Sequence, residues 1–549
     1  MIVGSRVALY LGLDASTQSL TALVIEIEGN RRRVVLESSF AFDDALPQYG
    51  TRHGVLPQAD PSVATSSPLM WAEALEMMMS RVATSVDVRR VAAVCGSAQQ
   101  HGSVYLKRGA HGALAGLDQS KSMVDQIQGT LAREVAPIWM DSSTSVECAE
   151  ITSAVGGEAV LTQRTGSRAF ERFTAAQIRK FFKRSPAAYA ATERVHLVSS
   201  FLASLLVGQH APLDPGDASG MNLMDLTTRG WWREALEATS PDLLAKLPPI
   251  VDPWTSAGTL APLWQARYGF PPANVVVWSG DNPSSLIGTG LVREGRLAIS
   301  LGTSDTVFAL MRDPRVDRTG TGHVFGAPTG DYMGLTCFQN GSLARERIRA
   351  VYGLTWSEFS HALETSPSGN GGRILLPWFE PEITPPVPVA GVHRYALPIE
   401  DVAANVRGVV EAQQMAMALH SRWMGAEVDT IHATGGAAAN RAVLQVMADV
   451  FGADVYQLEV ASSAALGAAL RAAHADMNTN GRSAGWEEVI AGFAEPISAS
   501  RLRPDPRRHA IYRELIPLYT ACETHALGHG PDPLSLMDDF RKRVVQRVS

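Results

Sequence analysis

The sequence predicts an α/β protein built from two large domains. Strand-like and helix-like segments alternate along the chain, the pattern of sheets covered by helices. An internal echo then suggests that one such unit occurs twice. Ala8 to Gln18 leads into the apolar run Leu20 to Ile27, and Leu297 to Thr306 leads into Val307 to Met311. Each reads as an apolar strand, a small polar turn carrying a glycine and hydroxyls, and a second apolar strand. With 549 residues, the chain can hold three or four average domains or two large α/β units, and the echo favours two.

Composition bounds the rest. At 46% hydrophobic and 19% charged residues, the chain can bury substantial cores, and disorder is excluded. The net charge is -7 and no long basic run occurs, so a nucleic-acid footprint is not expected. Arg31, Arg32 and Arg33 fall between two β-rich stretches and read as a solvated hairpin turn. Cys95, Cys148, Cys337 and Cys522 are scattered, with neither metal-ligand spacing nor the density of a disulfide framework. The chain enters a strand at Val7 to Leu13 without a basic leader. No apolar run reaches the roughly 18 residues of a membrane span. The expectation is a cytoplasmic protein in a reducing compartment. Pro367 to Gly372 reads as a flexible loop, proline-rich Phe379 to Pro388 as irregular, and Leu536 to Ser549 as a basic amphipathic helix end.

Three turns carry candidate chemistry. Glycine lets backbone approach a phosphate, and consecutive turn amides with hydroxyls form an anion-binding concavity. The two echoed turns have that composition, although either alone also fits an ordinary hairpin. Ile431 to Asn440 contains Gly435 and Gly436 where a strand ends, and runs into Arg441 to Phe451, apolar at helical spacing. Ligands bind at that edge of an α/β sheet, while a tight connection without a ligand is the plain alternative. Val275 to Trp278 is a short buried strand ending in Ser279-Gly280-Asp281-Asn282-Pro283. Asp281 at a strand end, before a helix, is placed to accept a hydroxyl proton in phosphoryl transfer. Asp281 or Asn282 as a simple helix cap is the competing reading. After the strand Val91 to Val94, Gln99-Gln100-His101-Gly102 offers amide and imidazole groups suited to sugar hydroxyls. The chain has no Gly-x-x-x-x-Gly-Lys-Ser/Thr, no His-Arg-Asp loop and no well-placed Gly-x-Gly-x-x-Gly, which excludes P-loop, protein-kinase and dinucleotide sites.

These stretches resemble the FGGY carbohydrate kinases, and within them the eukaryotic-type subgroup acting on xylulose. The matching segments are Gly12 to Ser19, Gln99 to Tyr105, Thr165 to Thr174, Gly216 to Leu223, Gly280 to Pro283, Ser300 to Thr306, and Ala433 to Ala437 with Asn440-Arg441, all in family order. The resemblance implies a two-domain actin/hexokinase-like (ribonuclease H-like) fold with a central cleft. It implies a sugar-side domain over residues 1–279 and a nucleotide-side domain over 280–549. It further implies transfer of the ATP γ-phosphate to the 5-hydroxyl of D-xylulose, with Mg²⁺.

Carried over by position, His101, Arg168, Asp281 and Asn282 match sugar contacts and Asp281 the general base. Gly435, Gly436 and Asn440 match nucleotide contacts, and Trp356 resembles an aromatic beside the adenosine. Asp14, with Thr17 and Gln18, is expected to hold Mg²⁺ or orient the γ-phosphate, and Gly302 and Thr303 to cradle phosphate. Arg168 in a surface ion pair with Glu171, and Asp14 as a turn residue, are the simpler structural roles. Three departures from the pattern of bacterial relatives and other family members stand out. Gln100 replaces the methionine of Met-His-Gly, Leu375 to Glu380 lacks a Gly-Glu-Arg continuation, and the region after Arg172 lacks Lys-x-x-Trp. Monomer and homodimer are both open. Other FGGY kinases for ribulose, gluconate or glycerol, an actin-like ATPase and a non-catalytic sugar sensor are the alternatives.

Overall fold

Two mixed sheets, each flanked by helices, organise the chain, and five adjacent strands of each repeat one order of strand directions. The computed structural model describes residues 8–29, 31–459 and 462–548. In the first sheet the order is Arg31–Ala41, Ser19–Glu28, Ala8–Ala15, Val91–Ala98, Asn274–Val276, Ser256–Thr259. The short strand Ser279–Gly280 also pairs with Val91–Ala98. In the second sheet the order is His323–Gly326, Tyr332–Phe338, Asp305–Met311, Arg296–Leu301, Thr430–Thr434, Asp454–Gln457. In each, a strand that opens an antiparallel hairpin also pairs in parallel with a later strand: Ala8–Ala15 with Val91–Ala98, and Arg296–Leu301 with Thr430–Thr434. The echo seen in the sequence is therefore a structural duplication. Leu9, Leu11 and Leu13 face one side of the first sheet and Tyr10 the other, and all four are buried. That is the near-continuous apolar strand of a sheet covered on both faces.

Two helices tie the halves together. Asp281–Gly288 leaves the first sheet and places Leu286 in a cluster with Ala298, Leu310 and Phe325 of the second. Ser463–Thr479, from the second half, covers the first sheet, where Tyr10 donates to Asp476 Oδ2 at 3.0 Å. They cross with backbones nearly touching. A Cβ on Gly288 falls 1.9 Å from the Ser463 carbonyl oxygen, and one on Gly467 falls 1.8 Å from that of Ser284. Arg471 on the second helix forms a fully buried ion pair with Asp214 (3.0 Å) and donates to the Val277 carbonyl at 3.0 Å.

Several local expectations need correction. Gly12 is not in a turn: it lies inside its strand, where a Cβ would fall 2.1 Å from the Ala465 carbonyl oxygen. Its role is close helix packing, whereas Gly302 does lie in its turn, between Leu301 and Asp305. The arginine triplet begins a strand rather than forming the turn. Arg33 pairs with buried Glu26, and Arg32 donates to the Val489 carbonyl at 3.1 Å. The 367–372 segment is pinned, because the Gly369 amide donates to buried Glu411 and Asn370 Nδ2 to the Ala404 carbonyl. The proline-rich stretch is irregular as expected, and Leu534–Val548 is a helix. Val7 and Ser549, in the terminal segments read from sequence, lie outside the described residues.

Candidate functional site

Register places the chemistry in a row at one end of the first sheet. Asp14, Ser97 and Ser279 stand level on three adjacent strands, followed by Ala15, Ala98 and Gly280. Asp281 and the Gln99–His101 segment come next, beyond the strand ends. Ser97 Oγ donates to Asp14 Oδ1 at 2.7 Å. Burial raises the Asp14 carboxyl to about 6, against that bond.

Asp281 is the first residue of its helix. Gly280 occupies the cap position, and no side chain caps the helix. Neither Asp281 nor Asn282 is thus the cap. Asp281 Oδ1 instead accepts from the Asn282 amide (2.8 Å) and Asn282 Nδ2 (3.1 Å). Burial, then the nearby Asp14 charge, raises Asp281 to about 7, against hydrogen bonds from the backbone. A carboxylate poised near neutrality can take a proton and release it, as a general base must.

Asn282 Nδ2 also donates to Gln100 Oε1 at 2.9 Å, and Gln100 Nε2 donates to the Gly216 carbonyl at 3.3 Å. His101 holds a positive φ of 71° and stacks on Phe173, centroids 4.2 Å apart. Its Nδ1 lies 2.7 Å from the Gly220 carbonyl oxygen. A carbonyl only accepts, so Nδ1 carries the proton and Nε2 keeps a lone pair. Burial pushes this imidazole down to about 3, so it is neutral.

Arg168 does not pair with Glu171 among the described residues. Its guanidinium lies 4.6 Å from the Phe170 ring, which Arg172 also approaches at 4.9 Å. Arg168 Nε is buried and without a hydrogen-bond partner within the protein. Phe170 and Phe173 are 5.5 Å apart, so Arg168 and His101 stand on one aromatic cluster. The second half completes that cluster. His323 bonds to Ser167 Oγ (3.0 Å) and Arg172 Nη2 (3.1 Å), and Phe325 lies 6.4 Å from His101.

The first hairpin turn brings Thr17 and exposed Gln18 to the same sheet end, and Trp139 Nε1 donates to Thr17 Oγ1 at 2.8 Å. On the second sheet, the Gly302 carbonyl accepts from the Ser342 amide (2.8 Å) and Thr303 is exposed. The buried Arg345–Asp305 pair (3.1 Å) braces this turn from behind. Gly435, with φ +85°, packs beside it: a Cβ there would fall 2.6 Å from the Leu301 carbonyl oxygen. Gly436 has open space where a Cβ would project. A cavity of ≈ 630 Å³ opens here, lined by Trp356, Ser360, Gly436, Asn440 and Arg441 among others. Trp356 is 46% exposed, with the Arg349 guanidinium 5.1 Å from its ring. The Asn440 side chain is already committed. Its Oδ1 caps the helix Arg441–Phe451 at the Ala442 and Val443 amides, and its Nδ2 donates to Ser360 Oγ. Asn440 therefore shapes the cavity wall.

Among the described residues, no group of three or more histidine, cysteine or acidic side chains could hold a metal ion by itself. Asp14 offers one carboxylate with a hydroxyl beside it. That suits an ion held chiefly by phosphate oxygens, as magnesium usually is.

Sequence reasoning missed His323 and Phe325, which carry no local motif. It also gave no role to the Asp214–Met221 segment, although Asp214-Pro215 is a recognisable helix start: Asp214 caps it and Pro215 follows. Trp139 was missed as well.

Two family models match the chain, "FGGY family of carbohydrate kinases, N-terminal domain" over residues 9–288 and "FGGY family of carbohydrate kinases, C-terminal domain" over 297–475. The chain is 41% identical over 537 residues to a xylulose kinase of Mus musculus, covering 95% of each. It is 42% identical over 516 residues to xylulose kinase 2 of Arabidopsis thaliana, covering 89% of each. A crystal structure of xylulose kinase from Rhodospirillum rubrum superposes with a TM-score of 0.79 at 19% identity, over 95% of this chain and 100% of that one. Plasmodium falciparum glycerol kinase with ADP superposes with a TM-score of 0.76 at 15% identity, over 94% and 98%.

Proposed function

The chain belongs to the FGGY family of carbohydrate kinases, and from that premise we infer that it transfers the γ-phosphate of ATP to D-xylulose, giving D-xylulose 5-phosphate. The carrying observation is the 41% identity to a xylulose kinase across 95% of both chains. It is supported by a near-neutral carboxyl, Asp281, at the sheet end where Asn282 and His101 also stand.

The residues divide the work. Asp281 accepts the proton of the attacking 5-hydroxyl as its oxygen bonds to the γ-phosphorus, and ADP leaves. Asn282 and His101 bind sugar hydroxyls, and Arg168 supplies fixed donors for hydroxyl or carbonyl oxygens. The backbone around Gly302, Thr303, Gly435 and Gly436 faces phosphate oxygens, and Trp356 packs on the adenosine. Asp14 would hold Mg²⁺, with Thr17 and Gln18 orienting the γ-phosphate; the ion when bound neutralises phosphate charge. Residues 1–279 form the sugar-side domain and 280–549 the nucleotide-side domain, closing on each other to exclude water. Among the described residues no helix is long and apolar enough to cross a membrane, and all four cysteines are free. The free cysteines fit a reducing compartment, which supports the cytoplasmic location in this reading.

An ADP-release assay over a panel of ketoses and polyols tests the reading. D-xylulose should rank first. A clear preference for ribulose, gluconate or glycerol would move the protein to another branch of the family. ATP hydrolysis indifferent to sugar would remove the kinase reading altogether.

A further inference from the structure

One short segment fixes the polarity of the sugar site through backbone carbonyls. Pro215–Ala218 and Ser219–Met221 form two consecutive turns, and every residue in them is buried. The segment is held from several sides. Asp214 Oδ1 accepts from the Asp217 amide (2.9 Å) and Ser279 Oγ (2.9 Å), while Asp214 Oδ2 pairs with Arg471. Asp217 accepts from Ser199 Oγ. Ser219 Oγ donates to the Pro215 carbonyl (2.7 Å) and accepts from the Gly326 amide (3.1 Å).

Two carbonyls of this rigid segment meet side chains of the site. Because the Gly216 carbonyl can only accept, Gln100 must present Nε2 to it. Gln100 Oε1 therefore faces Asn282, which must answer with Nδ2. The amide of Asn282 then has a single remaining group, Oδ1, for a ligand. Gly280 keeps this chain taut, since a Cβ there would fall 2.3 Å from Gln100 Cγ. Asp281 Oδ1 adds a second restraint on Asn282 Nδ2 at 3.1 Å. That restraint weakens when Asp281 takes the substrate proton, whereas the one from Gln100 persists.

We propose that Gln100 is a positioning residue that determines specificity: by holding Asn282 Nδ2, it makes Asn282 an acceptor that reads one secondary hydroxyl of the sugar as a donor. The proposal rests on the sugar-site reading above and deepens it. Gln100 is absent from the chemistry itself. A fluorine in place of the hydroxyl cannot donate, so the site rejects it, and relaxing the Asn282 amide relaxes that rejection.

The test uses D-xylulose and its 3-deoxy-3-fluoro and 4-deoxy-4-fluoro analogues with the full-length enzyme and Gln100→Met, which keeps length and loses both hydrogen bonds. Wild type should discriminate against one analogue by at least about 10²-fold in kcat/KM. In Gln100→Met that discrimination should shrink about tenfold at the same position only. KM for D-xylulose should rise about tenfold with kcat within about threefold, the mark of a binding-geometry effect. Gln100→Glu keeps an acceptor toward Asn282 and, kept protonated by burial beside the Asp281 carboxyl, a hydroxyl donor toward the Gly216 carbonyl, so it should retain most of the discrimination; it also serves if the methionine variant fails to fold. Unchanged discrimination in Gln100→Met overturns the proposal, as does an equal loss for both analogues or a loss in Gln100→Glu as large as in Gln100→Met. Wild-type turnover of D-xylulose reports separately on the function: its absence sinks the sugar reading, while the variant-to-wild-type ratio decides the role of Gln100.

Discussion

Asp281→Asn should make the enzyme slower and, at alkaline pH, more stable. The amide retains the shape of the carboxyl and cannot accept the substrate proton. Turnover should fall by at least about 10²-fold, the usual scale for losing a general base, and sugar affinity by calorimetry should stay within about tenfold. The stability effect follows from the raised carboxyl. Its folded-state value of about 7 lies above the ordinary 3.8, so the native state favours the protonated form. That contribution is fully present below about pH 4 and is lost as pH rises through about 7. Above pH 7 the ionised carboxylate costs at most about 4 kcal/mol, at about 1.4 kcal/mol per pKa step. The group is partly open to solvent, and screening halves this to about 2 kcal/mol. Asparagine carries no such charge. The apo variant should therefore melt roughly 4–8 °C above wild type at pH 8 and at the same temperature as wild type at pH 4. Differential scanning calorimetry at both pH values reads this directly. A variant less stable than wild type at pH 8 refutes the burial argument, and near-normal turnover refutes the base.

The pH profile carries the same logic into catalysis. kcat/KM should fall about tenfold per unit below about pH 7 as Asp281 protonates. His101, pushed down to about 3, should add no limb between pH 5 and 9. Trp356→Ala should raise KM for ATP about tenfold by removing the exposed indole from the cavity wall, and leave D-xylulose affinity unchanged by calorimetry. Arg471→Met leaves Asp214 buried beside an apolar side chain and should cost about 3–5 kcal/mol. The double variant Arg471→Met/Asp214→Asn should recover part of that, measured by urea unfolding.

Much of the fold was legible because it depends on local pattern. The two strand–turn–strand units stand out as apolar runs broken by Ser16-Thr17-Gln18 and Gly302-Thr303-Ser304, and they became the matching hairpins of the two sheets. Gly435 could be read as a turn glycine, and its positive φ agrees. Gly12 could not be placed, because its need for hydrogen in place of a side chain comes from Ala465, far along the chain. Asp281 is a similar case. A strand-end Asp before a helix fits a cap equally well, and only the fold separates the two, by giving the cap position to Gly280 and setting Asp281 near the Asp14 charge. His323 enters the aromatic cluster through tertiary packing against Phe170 and Phe173, which no local spacing encodes.

Some buried polar atoms beside this sheet end have no hydrogen-bond partner within the protein. Gln99 is 2% exposed, yet neither end of its amide has a hydrogen-bond partner within the protein. Arg168 Nε is in the same position. An unmatched buried polar group costs about 1–3 kcal/mol. A few residues away, the Gly216 and Gly220 carbonyls of one buried segment hold Gln100 and His101, and Gln100 in turn holds Asn282. The contrast separates two jobs. Groups whose orientation must be fixed before a ligand arrives are tied to backbone, which cannot rotate. On the proposed sugar-site reading, Gln99 and Arg168 Nε are groups with bonds still to make: a polyhydroxylated ligand would supply their partners, while the tied groups decide which ligand fits.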